Sequence, residues 1–304
     1  MFERVKAGWR LARATRKLIM TDKKLFLYPF TMVAFALIAA VAYFFLFAGL
    51  VFGFLGLPTL SFSNLSSLSG VIFIAASALF YIIIGFISVY VTIAMYLSFK
   101  KFEEGEHIGV FESLGMAKSY SKLALEWALF YFIVLAILRM IEKRIRGIGG
   151  AILGIVGGMA LAAATLFAIP SITENRVGPI KAAKDSYHVI YRYFGSVFGG
   201  FAYVDLVSLG IVFAGFVLFI VSLLLILPAL GLYLGIIGIA SGIVIIVIGM
   251  FFYSVFSNIF RLILFDYVQG KGLPKNFDAT EETVKMAIKR RRGRSGPGPQ
   301  DSQS

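Results

Sequence analysis

No charged side chain occurs between residues 25 and 99, and residues 193–260 contain a single one, Asp205. Such runs leave one workable medium and one workable backbone. In hydrocarbon every backbone N–H and C=O must be satisfied within its own segment, which selects helices, and about 20 apolar residues are needed to cross about 30 Å. The composition agrees: 59% of the 304 residues are hydrophobic and 15% are charged, against roughly 25% charged in soluble chains. The expected fold is all-α, a polytopic transmembrane helical bundle.

The first run holds two spans, near 27–52 and 72–97, separated by a Ser-, Leu-, Gly- and Asn-containing segment at 58–70. Its apolar stretch is too long for a signal-peptide core and lacks a small-residue cleavage site, so it is expected to stay as the first span. A third span is expected near 123–141, with Glu126 and Arg139 near its ends, where long side chains reach the head groups. A fourth is expected near 148–169, stopping at Pro170. The second run has room for two generous spans or three tight ones, and the break at Pro228 and Gly231 favours two, near 197–227 and 232–259. Six spans divide the chain into an amphipathic arm (1–24), a membrane domain (25–265) and a basic tail (266–304) expected to be disordered at its end.

Lysine and arginine placement sets the expected orientation. Of 29, eight precede span 1, four lie between spans 2 and 3, four between spans 4 and 5, and nine follow span 6. The positive-inside rule then puts both termini in the cytoplasm. The other four, Arg139, Lys143, Arg144 and Arg146, fall on the outer side. Either that loop is a local exception, or segments 3 and 4 form a re-entrant hairpin. With Glu142 it alternates in sign, which reads as a solvated helix cap or, more sharply, as a phosphate site.

Three amphipathic stretches precede spans 1, 3 and 5. In 178–194, Ile180, Ala183, Tyr187, Ile190 and Phe194 share one helical face, while Lys181, Lys184, Asp185, His188 and Arg192 share the other. The N-terminal arm sets Phe2, Val5, Trp9 and Ala12 against Lys6, Arg10, Arg13 and Lys17. Between spans 2 and 3, Val110, Leu114 and Ala117 oppose Lys118 and Lys122. The chain thus reads as three units of surface helix plus transmembrane hairpin, alike in architecture without a residue-level repeat. A loop tethered at both ends to a membrane acquires an apolar underside for that reason alone; the sharper reading is contact with anionic lipid head groups or a protein partner through Arg10, Arg13, Lys17, Lys181, Lys184 and Arg192.

Little chemistry is available. There is no Cys, and the two histidines, His107 and His188, fall in no paired-ligand motif, so no metal and no cofactor is expected. The net charge of +13 sits beside apolar spans and carries no nucleic-acid motif, which points to lipid and away from nucleic acid. Asp205 is the only ionisable residue well inside a span; it is either a cation or proton site, or a neutral or near-surface acid. Glu126 is expected to pair with Lys122 one turn earlier. Gly150, Gly154 and Gly158 form small-xxx-small pairs that suit close helix packing, within the chain or in a homo-oligomer, and Gly231, Gly235, Gly238 and Gly242 read alike. Arg261 and Asp266 are expected to end span 6 at the interface. Asn64-Leu65-Ser66 is a formal glycosylation sequon, and Asp278 with Glu281 resembles a helix-start pair ahead of the basic run 289–294.

Residues 125–146, with Glu-Trp-Ala-Leu and Ile-Leu-Arg-Met-Ile-Glu-Lys-Arg, then Ala164-Thr165-Leu166-Phe167-Ala168-Ile169-Pro170, and Val177-Gly178-Pro179-Ile180-Lys181-Ala182-Ala183 through Ser186, resemble an uncharacterised family of archaeal and bacterial six-span membrane proteins. Gly8-Trp9, Asp22-Lys23-Lys24-Leu25 and Tyr28-Pro29 fit the same resemblance, which covers most of 1–265. It implies a prokaryotic plasma membrane and supplies no catalytic residues. The functional expectation is a non-enzymatic, structural or organising membrane protein that meets lipids or a partner. The alternatives are a small transporter or channel using Asp205 and, third, a lipid-active enzyme.

Overall fold

The computed structural model describes residues 2–48, 68–145, 148–226 and 232–274. These are helical almost throughout: α1 (Phe2–Thr21), α2 (Leu27–Ala48), α3 (Leu68–Glu103), α4 (Val110–Ala117), α5 (Ser121–Arg144), α6 (Ile148–Leu166), α7 (Ala168–Asn175), α8 (Pro179–Ile226) and α9 (Leu232–Val268). Six helical segments are long and apolar enough to cross a membrane, 23–48, 71–103, 110–144, 154–175, 197–224 and 232–268. This is a six-span helical bundle and an integral, multi-pass membrane protein. The 58–70 segment with its sequon, Arg146 and Gly147, the break at Pro228 and Gly231, and the tail features beyond 274 lie outside the described residues.

At 1.5 Å per residue, the 36 residues of α3 and the 37 of α9 overrun a bilayer core by about 25 Å. The surplus gathers at one end of the bundle, where protein replaces lipid around it. Leu11, Ile19, Tyr96, Phe99, Phe167, Ile172, Phe256, Phe260 and Phe265 are fully buried there, forming a cap. Toward the far end Phe44, Phe45, Ile74, Ile137, Met159, Leu224 and Leu234 stay exposed, as hydrocarbon-facing side chains should. α9 runs on past Arg261 with its last turns packed inside the cap, and ends at Val268, two residues after Asp266.

The three amphipathic stretches all join the cap, by different joints. α1 buries Leu11, Ala12, Thr15, Leu18 and Ile19, with Val5 and Trp9 flanking that face; the surroundings of Phe2 lie outside the described residues. It runs alongside the start of the fifth span: Trp9 meets Tyr203 edge-on at 4.8 Å, and a Cβ on Gly199 would overlap the Val5 backbone. α4 buries Leu114 and Ala117 as expected, tied by Tyr28 Oη to Ser113 Oγ at 2.6 Å and by the Tyr90 hydroxyl donating to the Leu114 carbonyl at 2.6 Å. α8 is continuous through its surface stretch, with a kink at Tyr193. There the buried face is Ala182, Ser186 and Val189, while Ile180 and Tyr187 of the expected face are exposed and Ala183 and Ile190 half-buried; the side chain of Phe194 is not among those described.

The fourth span breaks at Phe167, earlier than Pro170, and resumes as α7 with Pro170 in its first turn, where a missing N–H costs nothing. Ser186 stabilises the break. Its hydroxyl accepts from Phe167 N–H at 3.0 Å and donates to Ala163 C=O at 2.6 Å, standing between two groups that an unbroken helix would pair directly. The α8–α9 pair closes backbone to backbone: a Cβ on Gly242 would lie 2.8 Å from Phe219 N and 2.9 Å from Gly215 O. Only glycine permits that approach.

Candidate functional site

The densest charge in the described structure lies inside the cap, where the ends of three hairpins meet. Lys100 is in the last turn of α3, Glu174 stands near the end of α7, Asp266 is in the last turn of α9, and Lys271 follows α9 after a turn. Lys100 and Lys271 both pair with Glu174, whose side chain is only 2% exposed. Asp266 completes the clasp, 3.8 Å from the Lys100 ammonium and 3.6 Å from that of Lys271. Burial alone would push the Lys271 ammonium down; Glu174 and then Asp266 outweigh it and hold that pKa above its ordinary value. Glu103 adds a third carboxylate, facing a cleft of about 270 Å³ with Phe99 and Ile263 on its apolar side.

Chemically the clasp is an internal charge balance. A glutamate this buried stays ionised only with cations against it, and the two lysines come from different hairpins, so the pairing welds α3 and the end of α9 to α7. A second tie is local: Arg176, in the left-handed region at φ 48°, caps α7 and lays its guanidinium 4.5 Å above the Tyr120 ring, whose hydroxyl donates to the Thr173 carbonyl at 3.3 Å. Lys100, Glu174 and Lys271 were not singled out from sequence. The available signal was Glu174, the single acid between Glu142 and Asp185.

The residues singled out from sequence are spread over the surface. Arg10, Arg13 and Lys17 on α1, and Lys181, Lys184 and Arg192 on the first part of α8, are all exposed. Glu126 pairs with Lys122 at 4.0 Å. Asp205 is exposed on α8, about 20 residues from the far end of that helix, which puts it near the edge of the hydrocarbon; it lines neither the cleft at Glu103 nor the one between α1 and α8. At the far end Arg139 donates to Glu142 at 3.0 Å. Gly154 sits against Glu142 and Gly157 against Leu138, while Gly158 faces open space; the surroundings of Gly150 lie outside the described residues. Among the described residues no group of three His, Cys, Asp or Glu side chains is placed to hold a metal ion.

No family model matches the chain, and neither a curated protein nor a solved structure matches it.

Proposed function

We propose that this is a non-enzymatic membrane protein that organises the cytoplasmic face of a prokaryotic plasma membrane by gathering anionic lipid head groups around its cap. The carrying observation is that Arg10, Arg13, Lys17, Lys181, Lys184 and Arg192 are exposed on two helices that the cap packs rigidly at the ends of the spans. Juxtamembrane Lys and Arg are each worth about 1 kcal/mol of attraction to an anionic leaflet, and helices docked on protein present them without paying to order a loop. The same surface would serve an acidic protein partner. The clasp supports the reading as an internal brace that keeps the three hairpins in register.

The test is the lipid that accompanies the protein when it is excised from membranes in polymer-bounded discs. Anionic lipid is expected to be enriched about twofold or more over the bulk membrane, and Lys181→Gln/Lys184→Gln/Arg192→Gln should remove much of that enrichment. A disc composition equal to the bulk would sink the proposal. A transporter role would need Asp205 in a polar path, and its exposed position at the edge of the span gives that alternative no support.

A further inference from the structure

A cleft of about 720 Å³ opens between α1, the 3-10 turn at Lys23–Phe26, α8 and α9. Its walls are Met20, Phe26, Val207, Ile211, Ile248 and Phe252, and Arg16 and Lys17 stand together at one rim. Cations beside an apolar slot match an anionic amphiphile. Depth agrees with charge. Val207 and Ile211 lie about 15–19 residues from the far end of α8, and Ile248 and Phe252 about 16–20 from that of α9, placing the cleft about 22–30 Å across the bilayer, from the hydrocarbon edge to head-group level on the cap side.

Its surroundings fit as well. Leu27 and Phe30, just beyond the lining Phe26, and the wall residues Met20 and Ile248 are exposed apolar residues, so the cleft adjoins the hydrocarbon and an acyl chain can run out of it without meeting water. The guanidinium of Arg16 is held 5.8 Å from the Tyr203 ring, which fixes it beside the slot. Neither Asp22 nor Asp205, the acids nearest to it in sequence, lines the cleft. Asp22 accepts from the Lys24 N–H, and Asp205, two residues before Val207, points to the opposite side of α8 at 3.6 residues per turn.

We infer that this cleft binds one anionic phospholipid, its phosphate between Arg16 and Lys17 and the head of one acyl chain against Val207, Ile211 and Ile248. The inference deepens the lipid reading and rests on it for the class of ligand. It concerns a single stoichiometric site on residues apart from the basic face of α8, so the two can fail separately.

Native mass spectrometry of the full chain released from detergent reads the site. Palmitoyl-oleoyl phosphatidylglycerol is expected to form one retained adduct at a concentration about tenfold or more below phosphatidylcholine with the same chains. Arg16→Gln/Lys17→Gln should erase that difference, and Ile211→Trp, which fills the slot, should weaken both lipids. Lys181→Gln/Lys184→Gln/Arg192→Gln should keep the adduct while losing general anionic enrichment. Equal binding of the two lipids, or an adduct indifferent to both cleft variants, overturns the site. Displacement by inorganic phosphate alone makes it a free-anion site, and a two-chain complex that Ile211→Trp dissolves makes it a dimer seam; either outcome also overturns it. Phosphatidylglycerol carrying an acyl diazirine tests the unmodified protein: crosslinks should fall on peptides containing Met20, Ile211 or Ile248, and crosslinks confined elsewhere refute the assignment even if the variants fold poorly.

Discussion

Replacing Ser186 with Ala would remove the partner of two backbone groups at the kink, Phe167 N–H and Ala163 C=O. An unsatisfied buried group costs about 1–3 kcal/mol, so Ser186→Ala is expected to lose about 2–3 kcal/mol in denaturant titrations of the detergent-solubilised protein; a loss below about 0.5 would show the hydroxyl to be dispensable. Glu174 poses the charged version of the same problem. Glu174→Gln keeps the shape and takes from Lys100 and Lys271 the carboxylate they share, leaving Asp266 as their common acid. Hydrogen bonds to charged groups contribute about 1.5–3 kcal/mol, and a loss of that size is expected, read as a lower melting temperature. Neither role was legible beforehand. Ser186 is one small residue in an amphipathic stretch, and Glu174 acquires its meaning from lysines 74 positions before it and 97 after it.

Helix faces were legible where large apolar residues make the contact and not where small residues do. The apolar side of α4, the least clean of the three patterns, was still recoverable because Leu114 and Ala117 lie one turn apart and Lys118 and Lys122 follow them. On α8 the largest apolar residues, Ile180 and Tyr187, turn outward, while the small Ala182 and Ser186 face α6 and α7, since close helix approach selects size ahead of hydropathy. The glycines show the same logic. Gly199→Ala drives a methyl into the α1 backbone and is expected to loosen α1, seen as faster proteolysis within residues 2–21. Gly158→Ala meets open space and should change stability by less than about 0.5 kcal/mol. Equal effects of the two would contradict this packing.

The whole molecule is lopsided: a protein-packed cap at one end, lipid-facing helices toward the other. Since there is no native cysteine, single cysteines report which side each end occupies. Glu104→Cys and Ile180→Cys, both exposed in the cap region, are expected to react with a membrane-impermeant maleimide from the same side, the cytoplasmic one. Ser66→Cys, in the segment expected from sequence to join spans 1 and 2 on the outer side, should react from the other. Reaction of 104 and 180 from opposite sides would break the six-span arrangement. Labelling both from outside would leave the fold intact and invert the orientation.

Sequence alone determined the medium, the all-helical class, the number of crossings and the crowding of basic residues near alternate span ends. Each follows from transfer free energies that add up residue by residue along a short window, and no knowledge of distant neighbours is required. Tertiary structure alone decided that α1 and the start of α8 are docked on protein, that Phe167 carries the kink, that Glu174 sits between two lysines, and that Arg16 and Lys17 overlook a slot walled by α8 and α9. Those depend on which side chains from remote segments arrive at the same place, and burial and pairing energies exist only once they have arrived.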